Sequence, residues 1–241
     1  MDDSTPTMPP CDQRRLWDYY QGECLEVFAG ADRRLRYLVR RAARIAQGRR
    51  LRILNIGTGN GWLEGACAGR GWAVAALDPS EVAIRRLHGQ GQAGVVGGIE
   101  AMPYADCVFD LVFCSEVLEH LDDRRLVAGA REIARVLAPG GRLIGTVPYR
   151  EELAAGVVLC PCCGARFHRW GHQQSFDPAK LRAVLGAAGL RTIEAGPRAF
   201  PYFSMPSLET RLKTVAVLIL GRFGIQAAFP FLFFVAIKRE P

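Results

Sequence analysis

Cysteine and histidine residues crowd into one short stretch, CPCCGARFHRWGHQQSF, at residues 160–176. Four of them have the spacing C-x2-C-x4-H-x3-H: Cys160, Cys163, His168 and His172. A C-x2-C turn presents two thiolates from one tight loop, and sets of four thiolate and imidazole ligands are typical of tetrahedral zinc. Because a closed set of four leaves no position for water, the pattern predicts a structural zinc site, similar to a compact zinc knuckle.

Other interpretations of this segment are a redox pair, a catalytic metal and no metal at all. Cys162 and Cys163 are adjacent and would form a disulfide only with strain. A redox C-x2-C pair usually opens a helix in a thioredoxin-like unit, and no such unit is recognisable here. Structural zinc is therefore the prediction that we carry forward.

A second stretch with chemical potential is NIGTGNG, residues 55–61, which follows a short apolar run. Its glycines allow a sharp turn and a close approach to a ligand. Asp78 ends the next apolar run, where a carboxylate can accept two hydrogen bonds from a ribose diol. Together they predict a site for an adenosine-containing cofactor. A plain tight turn and a helix-capping aspartate are the alternatives.

The elements that must position these residues alternate along the chain. Apolar runs predict strands at 51–57, 73–78, 93–98, 109–115, 140–148, 190–195 and 229–238. Helical periodicity predicts helices at 14–22, 32–47, 62–69, 81–88, 122–137 and 177–189. Near-continuous apolar strands separated by helices are typical of a parallel sheet that is covered on both faces.

Two segments resemble the class I S-adenosylmethionine-dependent methyltransferases, in particular the methyltransferase type 11 domain. The first motifs of that family are similar to ILNIGTGNGWLEGACAGRGWAVAALDPSEVAIRRL, and the next three to GGIEAMPYADCVFDLVFCSEVLEHLDD and IARVLAPGGRLIGTVP. The resemblance spans about residues 50–195. It implies an α/β, Rossmann-like, doubly wound sheet of seven strands, mostly parallel with the last strand antiparallel, and S-adenosylmethionine as the cofactor.

The resemblance also implies which residues hold that cofactor. The glycine loop would line its methionine part, Asp78 would bind its ribose, and residues 98–100 would flank its adenine. The end of the fourth strand would lie beside the sulfonium. The implied set is Asn55, Gly57, Thr58, Gly59, Gly61, Asp78, Pro79, Gly98, Ile99, Glu100, Cys114 and Ser115.

Two positions depart from the family pattern. Asn55 stands where the family usually has an acidic residue beneath the glycine loop, and Gly98 stands where many members have an aspartate that contacts the adenine amine. Asparagine still forms hydrogen bonds, and backbone groups can hold adenine, so we expect a modified but working site. A non-catalytic, zinc-dependent binding module on a degenerate cofactor fold is the alternative.

Methyl transfer from a sulfonium requires in-line alignment and, for a hydroxyl acceptor, a base that removes the proton. The segment SEVLEHL supplies a candidate base in His120, with Glu116 nearby, and Tyr149 is a candidate substrate contact. A structural role for His120 and a packing role for Tyr149 are the alternatives. We expect O-methylation of a small molecule or a glycan-type metabolite, with the zinc-bound segment as a rigid cover over the substrate crevice.

The spacing E-x-x-E-H, formed by Glu116, Glu119 and His120, also resembles the metal-binding stretch of small-RNA 3′-terminal 2′-O-methyltransferases. A similar E-H pair occurs in ubiquinone-pathway O-methyltransferases. Both resemblances imply a divalent metal that binds a substrate oxygen. Metal-assisted 2′-O-methylation of RNA is therefore the rival prediction.

The formal net charge of +7 and the isoelectric point of about 9.2 permit an anionic partner. Nearly all of the positive charge is arginine, and several arginines lie in one predicted helix at 32–47. A solvated basic surface is the simpler interpretation of that helix, so RNA is a possible partner that the charge alone does not favour.

The two ends of the chain carry further expectations. Residues 1–12 are acidic and proline-rich without the apolar core of a signal peptide, which predicts a disordered tail and a cytoplasmic protein. The apolar stretch 214–237 is interrupted by Arg222, by glycines and by Pro230, which predicts a helix and a strand in place of a transmembrane segment. Contact with a membrane interface stays open.

We therefore expect one methyltransferase domain over residues 13–241. It would carry two insertions, a Cys/His segment at 150–176 and a helical segment at 199–228.

Overall fold

The computed structural model describes residues 13–161, 163–200 and 231–239. The helices are α1 (Gln13–Gly22), α2 (Asp32–Ala46), α3 (Trp62–Ala68), α4 (Glu81–Gly89), α5 (Asp123–Val136) and α6 (Pro178–Ala187). The strands are β1 (Arg52–Ile56), β2 (Ala73–Asp78), β3 (Ala93–Val96), β4 (Phe109–Ser115), β5 (Leu137–Pro148), β6 (Val157–Leu159), β7 (Arg166–His168), β8 (Leu190–Arg198) and β9 (Phe231–Lys238). Short 3-10 helices lie at Leu25–Ala31, Leu118–His120 and Leu153–Gly156.

Seven strands form one sheet in the order β3-β2-β1-β4-β5-β9-β8. The pairs from β3 to β5 are parallel, and β9 runs antiparallel to both of its neighbours. This confirms the predicted seven-stranded, mostly parallel sheet with an antiparallel last strand. The strand order reverses between β1 and β4, and ligands of doubly wound sheets bind at the carboxyl ends of the strands at such a reversal.

Alternating residues of the central strands build a core on each face of the sheet. One face buries Leu54, Val112 and Leu143 against α5 and α6. The other buries Ile53, Leu111 and Ile144 against α2 and α3. The strands are apolar at successive positions because both faces are covered.

Two regions differ from the sequence prediction. β5 begins at Leu137 because that residue pairs with Phe109 before the register shifts at the Pro-Gly-Gly turn. The insertion at 150–176 contains the antiparallel pair β6 and β7, which its weak periodicity did not reveal. The predicted tail at 1–12 and nearly all of the predicted helical insertion at 199–228 lie outside the described residues.

No helix in the described part of the chain combines the length and the apolar composition that crossing a membrane requires. Phe231–Lys238, the end of the apolar stretch, is strand β9 at the interior of the sheet.

Candidate active site

The carboxyl ends of β1 and β4 lie side by side, because Ile56 pairs with Cys114 in the parallel register. The glycine loop follows β1 and the E-x-x-E-H segment follows β4, so both rise from the same edge of the sheet. They touch at Gly57, whose φ is +81° and where a Cβ atom would lie only 2.8 Å from Cγ2 of Val117. Only glycine permits that conformation and that approach, so Gly57 brings the two loops together.

Asp78 ends β2 at the same edge and is almost fully buried. Its Oδ2 accepts hydrogen bonds from the backbone N–H of Thr58 at 2.9 Å and from the Thr58 hydroxyl at 3.1 Å. Its Oδ1 accepts from the N–H of Ser80, beyond Pro79, at 2.9 Å. Burial raises the pKa of Asp78, and these hydrogen bonds oppose the rise. The carboxylate is therefore fixed against the glycine loop.

The remaining glycines of the loop are pinned and covered by other elements. The carbonyl of Gly59 accepts from Nη2 of Arg86 at 2.6 Å. Phe28 lies over Gly59, 3.5 Å from where a Cβ atom would stand. Gly61 is the residue that precedes the first turn of α3. The loop thus has a defined shape. Arg86 of α4 holds it by a hydrogen bond, and Phe28 of the 3-10 helix Leu25–Ala31 covers it.

Asn55, which departs from the family pattern, forms a hydrogen bond with a carboxylate from another element. Its amide donates to Oε1 of Glu64 at 2.7 Å and to the carbonyl of Gly57 at 3.1 Å. Glu64 is fully buried, and burial raises its pKa to about 7. Its Oε2 has no hydrogen-bond partner among the described residues. Sequence reasoning missed Glu64, although its place in the first turn of the helix after the loop was a usable signal.

The segment expected to flank adenine, residues 98–100, follows β3. Ile99 is buried and packs closely against Gly129 of α5. A Cβ atom added at Gly129 would lie only 3.1 Å from Cγ1 of Ile99. Glu100 forms an ion pair with Arg125 at 3.3 Å. The absence of a side chain at Gly98 leaves its backbone as the group available to a ligand.

The two residues expected beside the sulfonium differ in exposure. Cys114 is fully buried in the core, and burial raises the pKa of its thiol, so its side chain is a neutral packing group. Ser115 is partly exposed, and its Oγ lies 2.8 Å from Oγ1 of Thr146 on β5. Of the pair, Ser115 is the one whose side chain is accessible at the strand end.

The two glutamates of the E-x-x-E-H segment lie in unusual environments. Glu116 has a φ of +59°, a left-handed conformation that costs a non-glycine residue about 1–2 kcal/mol. Its Oε2 lies 3.8 Å from Nη1 of Arg34 on α2. Glu119 is fully buried, neither of its oxygens has a hydrogen-bond partner among the described residues, and burial followed by the charge of Glu116 raises its pKa well above the ordinary value.

His120 packs edge-on between two aromatic rings. Its ring centroid lies 4.4 Å from that of Trp17 and 4.7 Å from that of His172. Burial, and then the nearby His172, lower the pKa of His120 well below the ordinary value. The imidazole is therefore neutral at pH 7, with Nε2 3.8 Å from Oε1 of Glu119.

Nitrogen and oxygen donors converge in two sets that share His172. Within the described ranges, Glu119, His120 and His172 form one set, and Glu151, His168 and His172 form the other, each with donor atoms within 4.8 Å of one another. His172 Nδ1 lies 2.5 Å from Oε2 of Glu151, and Nε2 of His168 lies 3.6 Å from its Oε1. Imidazole and carboxylate sets of this kind suit divalent transition metals.

The predicted Cys2His2 set is not assembled in this structure. His168 pairs with Val157 at the base of the hairpin formed by β6 and β7, whereas Cys160 and Cys163 lie in the turn at its tip. Tip and base are three residues apart, about 10 Å. The N–H of Cys160 still bonds to Ala165 across the hairpin, so strand alternation directs its side chain to the face opposite His168. Neither cysteine belongs to a metal-compatible set in the described part of the chain.

Hydrogen bonds join the end of the Cys/His insertion to the E-x-x-E-H segment. The carbonyl of Glu119 accepts from the N–H groups of Gln173 at 2.7 Å and Gln174 at 3.0 Å. The Gln173 side chain donates to the carbonyl of His120 at 3.0 Å. Tyr149 packs against the core and pairs with Phe176.

Helix α1 spans both halves of the site, a role that its sequence did not indicate. Asp18 accepts a hydrogen bond from the Ser80 hydroxyl at 2.8 Å, next to Asp78. Trp17 contacts His120, and the Tyr20 hydroxyl donates to the carbonyl of Arg169 at 2.9 Å. α1 is therefore a roof over the crevice, held to Ser80 beside the end of β2 on one side and to the insertion on the other.

Comparison with known proteins gives concordant results. Residues 54–145 match the family model described as a methyltransferase domain. The chain is 32% identical over 176 residues to the ubiquinone biosynthesis O-methyltransferase of Xylella fastidiosa (strain M23), covering 66% of this chain and 69% of the relative. It is 39% identical over 115 residues to the demethylmenaquinone methyltransferase of Mycobacterium marinum, covering 48% of each chain.

Among solved structures, the fold is similar to that of the 1,6-didemethyltoxoflavin-N1-methyltransferase of Burkholderia thailandensis with bound S-adenosylhomocysteine. The TM-score is 0.68 at 15% identity, with 98% of this chain and 93% of the other covered. At that identity the likeness concerns the fold alone.

Proposed function

This chain belongs to the class I S-adenosylmethionine-dependent methyltransferases, and on that basis we propose that it methylates an oxygen atom of a small acceptor in the crevice between β1 and β4. The observation that carries the proposal is the contact between the two loops at Gly57 and Val117. It sets the E-x-x-E-H segment, with its neutral buried histidine, directly beside the cofactor loop.

The donor set at the cofactor edge fits S-adenosylmethionine. Asp78 offers carboxylate oxygens to the ribose hydroxyls. The Oε2 atom of Glu64, buried beneath the loop and without a described partner, suits the ammonium of the methionine part. The backbone at Gly98 and the buried Ile99 suit adenine. When bound, S-adenosylmethionine supplies an electrophilic methyl group on its sulfonium.

His120 would then receive the proton of the acceptor hydroxyl. Its imidazole is neutral at pH 7, so a ring nitrogen can accept that proton. Because its pKa is lowered, it is a weak base, which matches an acidic hydroxyl such as a phenol better than the alkyl hydroxyl of a glycan. Glu116 and Tyr149 stay proposed contacts of the acceptor, and Ser115 stays a proposed contact of the cofactor beside its sulfonium. The O-methyltransferase name of the Xylella relative supports oxygen as the acceptor atom.

The test is a methyl-donor consumption screen over hydroxylated small molecules, followed by variants on the acceptor found. We expect His120→Ala to lower kcat at least 100-fold while the Kd for S-adenosylmethionine stays within threefold. His88→Ala is the matched control, since His88 is exposed on α4. Equal activity of both variants would contradict the role of His120. Absence of S-adenosylmethionine binding in folded protein would instead favour the alternative of a non-catalytic binding module on a degenerate cofactor fold.

A second candidate is metal-assisted O-methylation, favoured by the set of Glu119, His120 and His172. Metal ligands must be unprotonated, and the lowered pKa of His120 favours its neutral form. Two carboxylate oxygens of Glu119 are buried without described partners, which a divalent cation would satisfy. A metal that binds the acceptor oxygen lowers its pKa, so alkyl hydroxyls, including the 2′-hydroxyl of RNA, become accessible.

Glu119→Gln separates the two candidates because it keeps the shape of the side chain and removes its charge. Under the metal-assisted proposal, activity falls at least 100-fold and no longer depends on added Mn2+ or Mg2+. With His120 alone as base, chelation leaves wild-type activity unchanged. Assays on RNA 3′ ends and on small phenols in parallel identify the acceptor class.

Structural zinc at the Cys/His segment, a cytoplasmic location and contact with a membrane interface stay predictions. Metal analysis of the purified protein with reduced thiols tests the first of these.

A further inference from the structure

Four arginines surround a cavity that is remote from the crevice. The cavity has a volume of about 320 Å³ and lies between the C-terminal half of α2 and the strands β5, β8 and β9. Its polar lining consists of Arg41, Arg44, Gln47, Arg49 and Arg142. Its apolar lining consists of Ile45, Ile193 and Val235.

The position of the cavity separates it from methyl transfer. Arg142 stands six residues before Pro148, the carboxyl end of β5, which corresponds to about 20 Å along a strand. On α2, Arg34 contacts Glu116 at the crevice, while Arg44 lies ten residues further on, about 15 Å along the helix. A small molecule in the cavity cannot reach the reacting atoms, so its ligand is neither the methyl donor nor a small acceptor.

The charges around the cavity are unbalanced. Arg41 is paired with Glu194. Arg44 and Arg142 form no ion pair with a described residue. Arg49 donates to the carbonyl of Ala46 at 3.4 Å, and its charge is one of several causes that lower the pKa of Asp110. Guanidinium groups gathered around a concave site create a positive potential there, which attracts anions.

We propose that this cavity binds a phosphorylated small molecule whose diphosphate group is held by Arg44, Arg49 and Arg142. Guanidinium groups bind phosphate oxygens in pairs through a planar fork of donors. These three arginines, which form no salt bridge within the described residues, match the charge of a diphosphate, and the apolar lining suits the carbon part of such a molecule. A cavity of this volume is at the lower end of the range for small-molecule sites.

A nucleic acid or a lipid surface fits the observations less well. Either would engage the whole exposed row of α2, in which Arg36, Arg40 and Arg44 follow one another at intervals of four residues, and not the cavity alone. The cavity instead lies at the C-terminal end of that row, between α2 and the strands β5, β8 and β9. The proposal does not depend on the methyl acceptor or on the proposed base.

The test is calorimetry with inorganic pyrophosphate at about 0.15 M salt, where exposed charges are screened. We expect saturable binding to the full chain, weakened at least tenfold in Arg44→Gln/Arg142→Gln. The matched control Arg40→Gln/Arg85→Gln removes the same charge from positions outside the cavity lining and should change the Kd less than twofold. Thermal melting and binding of S-adenosylmethionine, measured on the same samples, show that each variant is folded and that the cofactor site is independent.

Two results would overturn the proposal. One is no saturable binding of pyrophosphate by folded wild-type protein. The other is equal weakening in both double variants, together with competition by a short RNA oligonucleotide, which would assign the basic surface to nucleic acid.

Discussion

The two proposed edges of this crevice, one for the cofactor and one for the acceptor, are built in different ways. The cofactor edge uses Gly57, Asp78 and their neighbours, which lie on two consecutive strands and their loops. The acceptor edge combines Trp17, His120 and the pair Glu151 and His172, which come from separate parts of the chain. One edge is a local motif with short-range hydrogen bonds, and the other is a tertiary assembly. Substitutions at the first should therefore act on cofactor binding alone, and substitutions at the second should disturb the acceptor side.

The largest effect should come from Asp78→Asn. Two charge-assisted hydrogen bonds to the ribose, at about 1.5–3 kcal/mol each, predict a Kd for S-adenosylmethionine weakened at least 100-fold by calorimetry. Asp110→Asn, which removes a carboxylate that pairs with Arg52 away from the crevice, is the control and should leave the Kd unchanged. A shift of less than tenfold for Asp78→Asn would show that the ribose is held elsewhere.

Glu64 tests whether the buried carboxylate beneath the loop is part of the cofactor edge. Its pKa of about 7 in the folded protein exceeds the ordinary value of 4.5, so between these pH values the folded state retains a proton that the unfolded chain releases. The contribution to stability is full below the lower value and is lost as the pH rises through 7, by up to about 3 kcal/mol. Urea unfolding from pH 5 to pH 8 should show a smaller decline for Glu64→Gln than for wild type. Glu81→Gln, on an exposed residue, should reproduce the wild-type decline.

Substitutions of His172 and of the cysteines distinguish two accounts of the insertion. In one, His172 acts with the glutamate and histidine donor sets; in the other, the predicted Cys2His2 zinc site forms. His172→Ala should lower methyl transfer about 10- to 50-fold, because His172 contacts His120 and belongs to both donor sets. Cys160→Ser/Cys163→Ser should keep activity within threefold, since both cysteines lie at the tip of the hairpin. If instead both variants lose bound zinc and activity together, the predicted Cys2His2 site exists in solution and the separation of the cysteines from the histidines is wrong.

The smallest effect should come from a substitution in α1, the helix that forms the roof over the crevice. Trp17→Ala removes the ring that packs on His120 and should raise the KM for the acceptor about 5- to 10-fold, with little change in cofactor affinity. Tyr19→Ala on the exposed face of the same helix is the control and should behave as wild type. A change in cofactor Kd larger than the change in acceptor KM would place Trp17 at the other edge.

The sheet and the cofactor edge could be predicted from the sequence alone. The order and approximate positions of the sheet strands, the helix starts at Asp122 and Asp177, and the glycine loop followed from patterns within about ten residues, where local sterics and capping decide the conformation. Asp78 could be placed from its position at a strand end, because parallel strands present their carboxyl ends at one edge.

The acceptor edge and the remote cavity depend on tertiary packing instead. C-x2-C-x4-H-x3-H predicts a single ligand set on spacing alone, but hairpin length and strand alternation separate Cys160 from His168 and turn the histidines toward Glu151 and His120. Likewise the arginines around the remote cavity meet only when α2 packs on the sheet. Residues far apart in the chain share a site through packing, and packing between elements leaves no fixed spacing in the sequence from which the contact could be read.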